Sequence, residues 1–347
     1  MGAGISSLSK ICLVESFTQT PLDASGAGNL PIDIDYTFVG LGIENDEVDV
    51  AGNCGNMSSA IGLYAYNSGL LDAHFYNKRN EDVTGQAAVK GGYAIDGVAG
   101  TAAKFKLDFR DPYGSKTGRV FPTGNKVDRI LGYSVTCVDG PNPAIFMHAD
   151  DLDIDGTILP NDFNKLPAKL ELLEKLRKAG AVAMHIAKSE DEVPRTIPKI
   201  GIIAQSSTHE ILSGERVNMS ELDLVVRFIS DTQPHRAIPL TAALTTAIAA
   251  RIPGTIVQEL LAPTPAMKDA ITIGHASGRI QVNATMNEKD TTIPISATVY
   301  RTARRIFEGE MFWIDNCHEQ EETEGISNKD ASEQHSLGWK FVKESRS

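Results

Sequence analysis

The chain has little with which to hold a metal, a nucleic acid or a lipid. Its four cysteines, Cys12, Cys54, Cys137 and Cys317, lie far apart among 347 residues and show no paired spacing. That argues against a disulfide framework and a zinc site, and the histidines are equally scattered. Basic residues are in deficit: 33 Lys and Arg stand against 45 Asp and Glu, a net charge of −12. No basic stripe can track a phosphate backbone, so nucleic acid is not expected as a partner. No run approaches the roughly 18 apolar residues of a membrane span, and the opening MGAGISSLSK lacks the apolar core of a signal peptide. The expected setting is intracellular, by default the cytoplasm, with no membrane partner. What remains is a chain that is 41% hydrophobic, enough to build the core of one large or two medium domains.

One cysteine stands in an unusual place. In GNCGNMSSAIGLYAY (52–66), Gly52, Asn53, Gly55 and Asn56 are turn residues that flank Cys54, whereas Met57, Ala60, Ile61, Tyr64 and Ala65 recur at helical spacing. Cys54 is therefore expected at a helix N-terminus, where unpaired N–H groups and the positive dipole end favour a thiolate and attract carboxylates. A free cysteine is more often a small buried hydrophobe. A core position, however, does not call for neighbours that tolerate positive φ and leave backbone donors open. By the same measure Cys12 and Cys137, inside apolar runs, read as core, and Cys317, beside His318, reads as surface.

Strand-like runs at Ile11–Val14, Ile34–Val39, Val48–Val50 and Lys104–Phe109 dominate the first third, with residues 56–66 as its helix. Further strands are expected at Ile130–Val138, Ile145–His148, Ile200–Ala204, Asp223–Ile229, Ile271–Ile273, Ile280–Asn283 and Ile293–Tyr300. Helices are expected at about 167–180 and at Leu240–Ile252, the latter ended by Pro253 and Gly254. The polar, acidic residues from about 316 onward read as a disordered tail. Strand, strand and helix thus occur twice, over 34–66 and over 200–252. Each half resembles a sheet rolled around one apolar helix, and two helix N-termini facing a shared cleft would hold a polycarboxylate.

The segments SSLSK (6–10), GNCGN (52–56), PKIGII (198–203), HRAIPLTAALTTAIAARIPGT (235–255), IGHASG (273–278) and YRTARR (300–305) resemble, in this order, those of the PrpF family of isomerases. The resemblance covers residues 3–312. It implies an α+β fold like that of diaminopimelate epimerase: two similar lobes of rolled mixed β-sheet, each around a central helix, with the site in the cleft between lobes. The first lobe would comprise 1–113 and 286–315, the second 114–285, and 316–347 the tail. The resemblance also implies that an upstream strand and an Arg-Gly-Gly-Thr-Ser-Lys-Gly-like segment precede the start of this chain, so the first lobe is expected to be truncated. A longer loop, PLDASGAGNLP, separates Lys10 from the cysteine helix.

Members of that family shift a C=C bond, by 1,3-allylic proton transfer or by cis-trans change, within small unsaturated di- and tricarboxylates such as aconitate, methylaconitate, methylitaconate and 4-oxalomesaconate, without a cofactor or a metal. Their serine-lysine motif falls on Ser9 and Lys10 and their cysteine on Cys54. Thr241 falls where the epimerase relatives keep a second cysteine, and Ala242 where a glycine is common. The chemistry removes a proton γ to a carboxylate, spreads the charge as a dienolate and returns a proton at the other end of the allyl unit. Lys10 is the implied base and Cys54 its acid–base partner. Asn53, Gly55, Asn56 and Met57 would supply N–H or amide donors to carboxylate oxygens.

His275 and Ser277, in a turn closed by Gly278, are candidate donors to a second carboxylate, and Thr241 is a candidate ligand and N-cap. His235 and Arg236 read equally as anion ligands or as a solvated pair. Arg301, Arg304 and Arg305 read as a cationic patch with a structural or surface role. The implied partner is the polycarboxylate itself, and a homodimer is left open. Two other functions stay open at this point: an α-carbon epimerase or racemase, against which the missing second cysteine counts, and a non-catalytic, accessory member of the family.

Overall fold

The computed structural model describes residues 10–17, 32–41, 48–50, 54–76 and 86–309. Ser9, Asn53, Cys317 and the expected tail lie outside the described residues. Residues 1–304 form one compact unit and 305–347 another. In the second, residues 305–309 are described, and Arg305 pairs there with Glu308 at 2.6 Å.

The chain begins with β1 (Lys10–Ser16), β2 (Ile34–Leu41) and β3 (Val48–Asp49), an antiparallel three-stranded sheet in which Lys10 pairs with Gly40. Helix α1 (Gly55–Asn67) packs on β1. It stops where Gly69 takes φ +71° and the Leu70 N–H returns to the Ala65 carbonyl at 3.0 Å, a turn closure that suits glycine. A short α2 (Ala73–Tyr76) follows. The Ala/Gly-rich stretch to Ala103 contributes only an isolated bridge, Tyr93 to Ala102, among its described residues.

The remaining strands are β4 (Phe105–Arg110), β5 (Asp128–Ile130), β6 (Tyr133–Asp139), β7 (Pro143–His148), β8 (Lys199–Gln205), β9 (His209–Glu210), β10 (Arg216–Val217), β11 (Leu224–Ser230), β12 (Gln233–Pro234), β13 (Ile271–His275), β14 (Gly278–Met286) and β15 (Pro294–Arg301). All but the β9–β10 pair join one ten-stranded mixed sheet, ordered β4-β15-β14-β13-β11-β8-β7-β6-β5, with β12 on β11. The strand expected over Ile130–Val138 is two strands. Leu131 at φ +48° and Gly132 at φ +86° make a two-residue hairpin turn between them, and Gly132 is the residue that permits it.

Helices α3 (Pro160–Phe163), α4 (Pro167–Ala183), α5 (Leu240–Arg251) and α6 (Ile256–Glu259) complete the fold. Alternation along β6, β7 and β8 sends Val138, Phe146 and Ile203 toward α5, and Cys137, Ile145, Met147, Ile200 and Ile202 toward Leu173 and Leu176 of α4. The middle strands are thus buried on both faces and read as continuous apolar runs. Phe146 and Phe228 meet edge to face at 5.9 Å under α5. Because the sheet curls about it, α5 is buried from Leu240 through Ala250, which is why its sequence is small and apolar all round.

Candidate active site

Two helix starts meet, and neither is capped by a side chain. Cys54 is the N-cap of α1, in extended conformation (φ −116°, ψ 98°), and its carbonyl accepts the first helical bond from the Ser58 N–H at 3.0 Å. The N–H groups of Gly55, Asn56 and Met57 therefore have no acceptor within the helix. In α5 the N-cap is Pro239, whose carbonyl accepts from the Ala243 N–H at 2.9 Å, which leaves those of Leu240, Thr241 and Ala242. Thr241 is thus two residues inside the helix rather than at its cap. Its hydroxyl accepts a bond from Asn142 Nδ2 at 3.0 Å. A Cβ on Gly55 would stand 2.4 Å from Leu240 Cδ2, so the two starts touch only because residue 55 is glycine.

Around that contact lies a cleft. Lys10, Cys54, Gly55, Asn56 and Thr241, all expected at the site, line it together. So do Asn142, Thr196, Lys199, Ser230 and His235, of which the sequence had offered only His235 as a ligand, Lys199 having entered only within the segment PKIGII. Lys199 Nζ donates to the Ser230 hydroxyl at 3.0 Å, and its pKa is pushed down to about 8, chiefly by burial. Burial, then the ammonium groups of Lys10 and Lys199, holds His235 down to about 4, so its imidazole is neutral, with Nδ1 accepting the Ala237 N–H at 3.1 Å. Arg195 and Asp231 form an ion pair on the same wall.

Behind α1, Arg301 on β15 donates to Asn56 Oδ1 at 2.6 Å and so aims the Asn56 side chain. Burial lowers the Arg301 pKa, while Tyr93 and Cys54 act in the opposite sense, which sets a cation near the thiol. Of the structural and surface roles read for the arginines, Arg301 has a structural one, holding Asn56, and Arg304 reaches the Thr101 carbonyl at 3.5 Å. No sequence pattern announces a contact spanning 245 residues.

The other expected residues lie elsewhere. Met57 contributes its first-turn N–H, but its side chain is not among those lining the cleft. His275 is buried on β13, and its Nδ1 accepts the Ser277 N–H at 3.2 Å. Ser277 in turn donates to the Arg236 carbonyl and lines a second groove with Asp96, Arg236 and Arg279. Gly278 at φ +132° lies where a Cβ would stand 2.5 Å from that of Asp96. The His275–Gly278 turn therefore holds loops together, with the Ser277 N–H spent on the His275 ring and its hydroxyl on the Arg236 carbonyl. Cys12 is half-buried on β1 and Cys137 is fully buried; burial raises the pKa of both thiols. Among the described residues no three His, Cys, Asp or Glu side chains gather as a metal site requires, and no helix is long and apolar enough to cross a membrane.

A model of the PrpF protein family matches residues 1–313. The chain is 36% identical over 304 residues to a 3-methylitaconate isomerase of Eubacterium barkeri, covering 81% of this chain and 79% of the relative. It is 34% identical over 308 residues to a 2-methyl-aconitate isomerase of Shewanella oneidensis, covering 80% and 77%. Among solved structures it is similar to a methylitaconate-delta-isomerase, with a TM-score of 0.70 at 32% identity over 89% of this chain and 82% of that one.

Proposed function

Because the chain belongs to the PrpF protein family, we propose that it is an isomerase that shifts a C=C bond within a small unsaturated di- or tricarboxylate, aconitate, methylaconitate and methylitaconate being the first candidates, with no cofactor. The observation that carries this reading is the convergence of an amine, Lys10, and a thiol, Cys54, on a cleft into which two uncapped helix starts open. The relatives named above are isomerases of this substrate class. Lys10 removes the proton γ to a carboxylate, and the charge delocalises as a dienolate. The first-turn N–H groups of α1 and α5, with Asn56 and Thr241, hold the carboxylate on which that charge gathers. Cys54 returns a proton at the far end of the allyl unit. Proton exchange through the cleft then resets the pair.

Ser9, Asn53 and Met57 belong to the same proposal as donors beside Lys10 and Cys54. His275, Ser277 and Gly278 enter it as the turn that shapes the adjoining wall. The lobe division at residues 113 and 286, with the cleft between lobes, is likewise part of the reading; α1 packs on β1 and α5 on the ten-stranded sheet, to which β4 and β15 of the first lobe also belong. Thr241 in place of a thiol disfavours two-cysteine racemisation, because the second proton carrier would be a hydroxyl.

Incubation of the pure chain with cis-aconitate, methylaconitate and methylitaconate in deuterated water, followed by NMR, tests the proposal. Deuterium should enter the allylic positions with migration of the double bond, and both should vanish in Lys10→Ala and Cys54→Ala. Exchange at an sp3 stereocentre without migration would replace this reading with epimerisation.

A further inference from the structure

Lys199 is a cation short of an anion. Its residue is only 8% exposed, on the wall of the cleft, and a buried ammonium needs a carboxylate beside it or loses its charge. Among the described residues it makes a single hydrogen bond, to the neutral Ser230 hydroxyl at 3.0 Å, so two of its three donors have no acceptor. Asp231 and Asp49 are close enough to favour the charged form, against the opposing charges of Arg177 and Lys10. Both carboxylates are engaged elsewhere, Asp231 by Arg195 and Asp49 by the Thr196 N–H at 3.2 Å, and neither forms an ion pair with Lys199. On the same wall, Thr196 Oγ1 is buried with no hydrogen-bond partner.

Two side chains with unfilled donors, three residues apart in a cleft that the helix starts also line, are complementary to one carboxylate. Such a group offers about four lone-pair positions. It would take two N–H bonds from Lys199 and one O–H bond from Thr196, and would supply the counter-charge that the buried ammonium lacks. We propose that Lys199 and Thr196 form a second carboxylate subsite, which holds the carboxylate remote from the migrating double bond while the starts of α1 and α5 hold the conjugated one. The assignment of the two carboxylates rests on the isomerase reading above; the existence of the subsite does not. Its consequence is a substrate rule: a ligand must carry two carboxylates to span the cleft, and a monocarboxylate fills half of it.

Calorimetric binding of tricarballylate, a saturated tricarboxylate that cannot isomerise, to the full chain tests this, with butyrate as the monocarboxylate control. Wild type should bind tricarballylate and discriminate against butyrate. Lys199→Gln and Thr196→Val should each weaken tricarballylate about tenfold or more, the lysine change more strongly. Neither should alter butyrate by as much. With a turned-over acid, Lys199→Gln should raise KM while kcat stays within a few-fold, whereas Lys10→Ala should abolish kcat and leave tricarballylate bound. The proposal is overturned if wild type does not bind tricarballylate, if Thr196→Val and Lys199→Gln bind it as wild type does, or if Lys199→Gln loses kcat at unchanged KM. The last result would make the amine a proton carrier. Should Lys199→Gln fail to fold, Thr196→Val, which keeps volume and charge, decides alone. Lys199-dependent binding in a chain that turns over no acid would uphold the subsite and sink the isomerase reading.

Discussion

The two helices that meet at Gly55 and Leu240 are built on opposite terms. Helix α5 is buried along its length by a ten-stranded sheet. Helix α1 packs on β1 of a three-stranded sheet, buries only Gly55, Ser59 and Ala65, and leaves Tyr64 54% exposed. The deeply held helix presents a hydroxyl at its start, and the lightly held one presents the thiol. Rigidity and reactivity are therefore divided: α5 is the fixed reference, and α1 is positioned against it where Gly55 meets Leu240. A reacting group needs placement within a fraction of an ångström, and here the reference for that placement comes from the other helix.

The strongest way to break this comparison is to exchange the roles of the two starts. Cys54→Ser should lower turnover by about 10²- to 10⁴-fold, the usual worth of a proton-transfer group, whereas Thr241→Val should cost about ten- to a hundredfold, mostly in KM, because it removes one bond to a charged ligand. Steady-state kinetics on the best of the three acids decides this. Equal losses at the two positions would end the asymmetry. Next in size, Leu244→Ala in α5 should destabilise the fold by about 2–5 kcal/mol in urea unfolding, while Tyr64→Ala on α1 should stay within about 0.5 kcal/mol.

Gly55→Ala sharpens the contact itself. It should lower turnover by about ten- to a hundredfold through misplacement with little change in unfolding midpoint, and adding Leu240→Ala should restore part of the loss. The smallest effect is a slope. Burial, then Arg227, holds His275 down to about 3, below the roughly 6.5 of the unfolded chain. Its contribution to stability is complete above that unfolded value and is lost as pH falls toward 3, at about 1.4 kcal/mol per unit. His275→Gln should flatten that part of the pH–stability curve.

How much was legible follows from the same division. The α5 side was readable because a buried helix and two-sided strands must be continuously apolar; α4, β8, β11 and α5 fall within a few residues of their expected bounds. Cys54 was readable because a helix start carries its own turn chemistry. Lys199 was not. A lysine ahead of five apolar residues looks like the solvated flank of a strand, and only the register of β8 against β11 turns it inward toward Ser230. Asn142, in Gly-Pro-Asn-Pro, looked like any turn until its amide met Thr241, 99 residues away. His275, Ser277 and Gly278 show the opposite case, a turn whose polar residues suggested ligands while the His275 Nδ1 and the Ser277 hydroxyl are engaged within the fold.

The place of β15 sets a timetable for the site. This strand is inserted between β4 and β14, and it carries Arg301 to Asn56, 245 residues earlier in the chain. A growing polypeptide that has released α5 from the ribosome already possesses both helix starts, yet it lacks the strand that joins β4 to the sheet and the arginine that aims Asn56. Contacts this distant in sequence form late and slowly. The thiol is thus made long before the arginine that stands behind it, and Cys54 waits for that arginine until β15 has been synthesised.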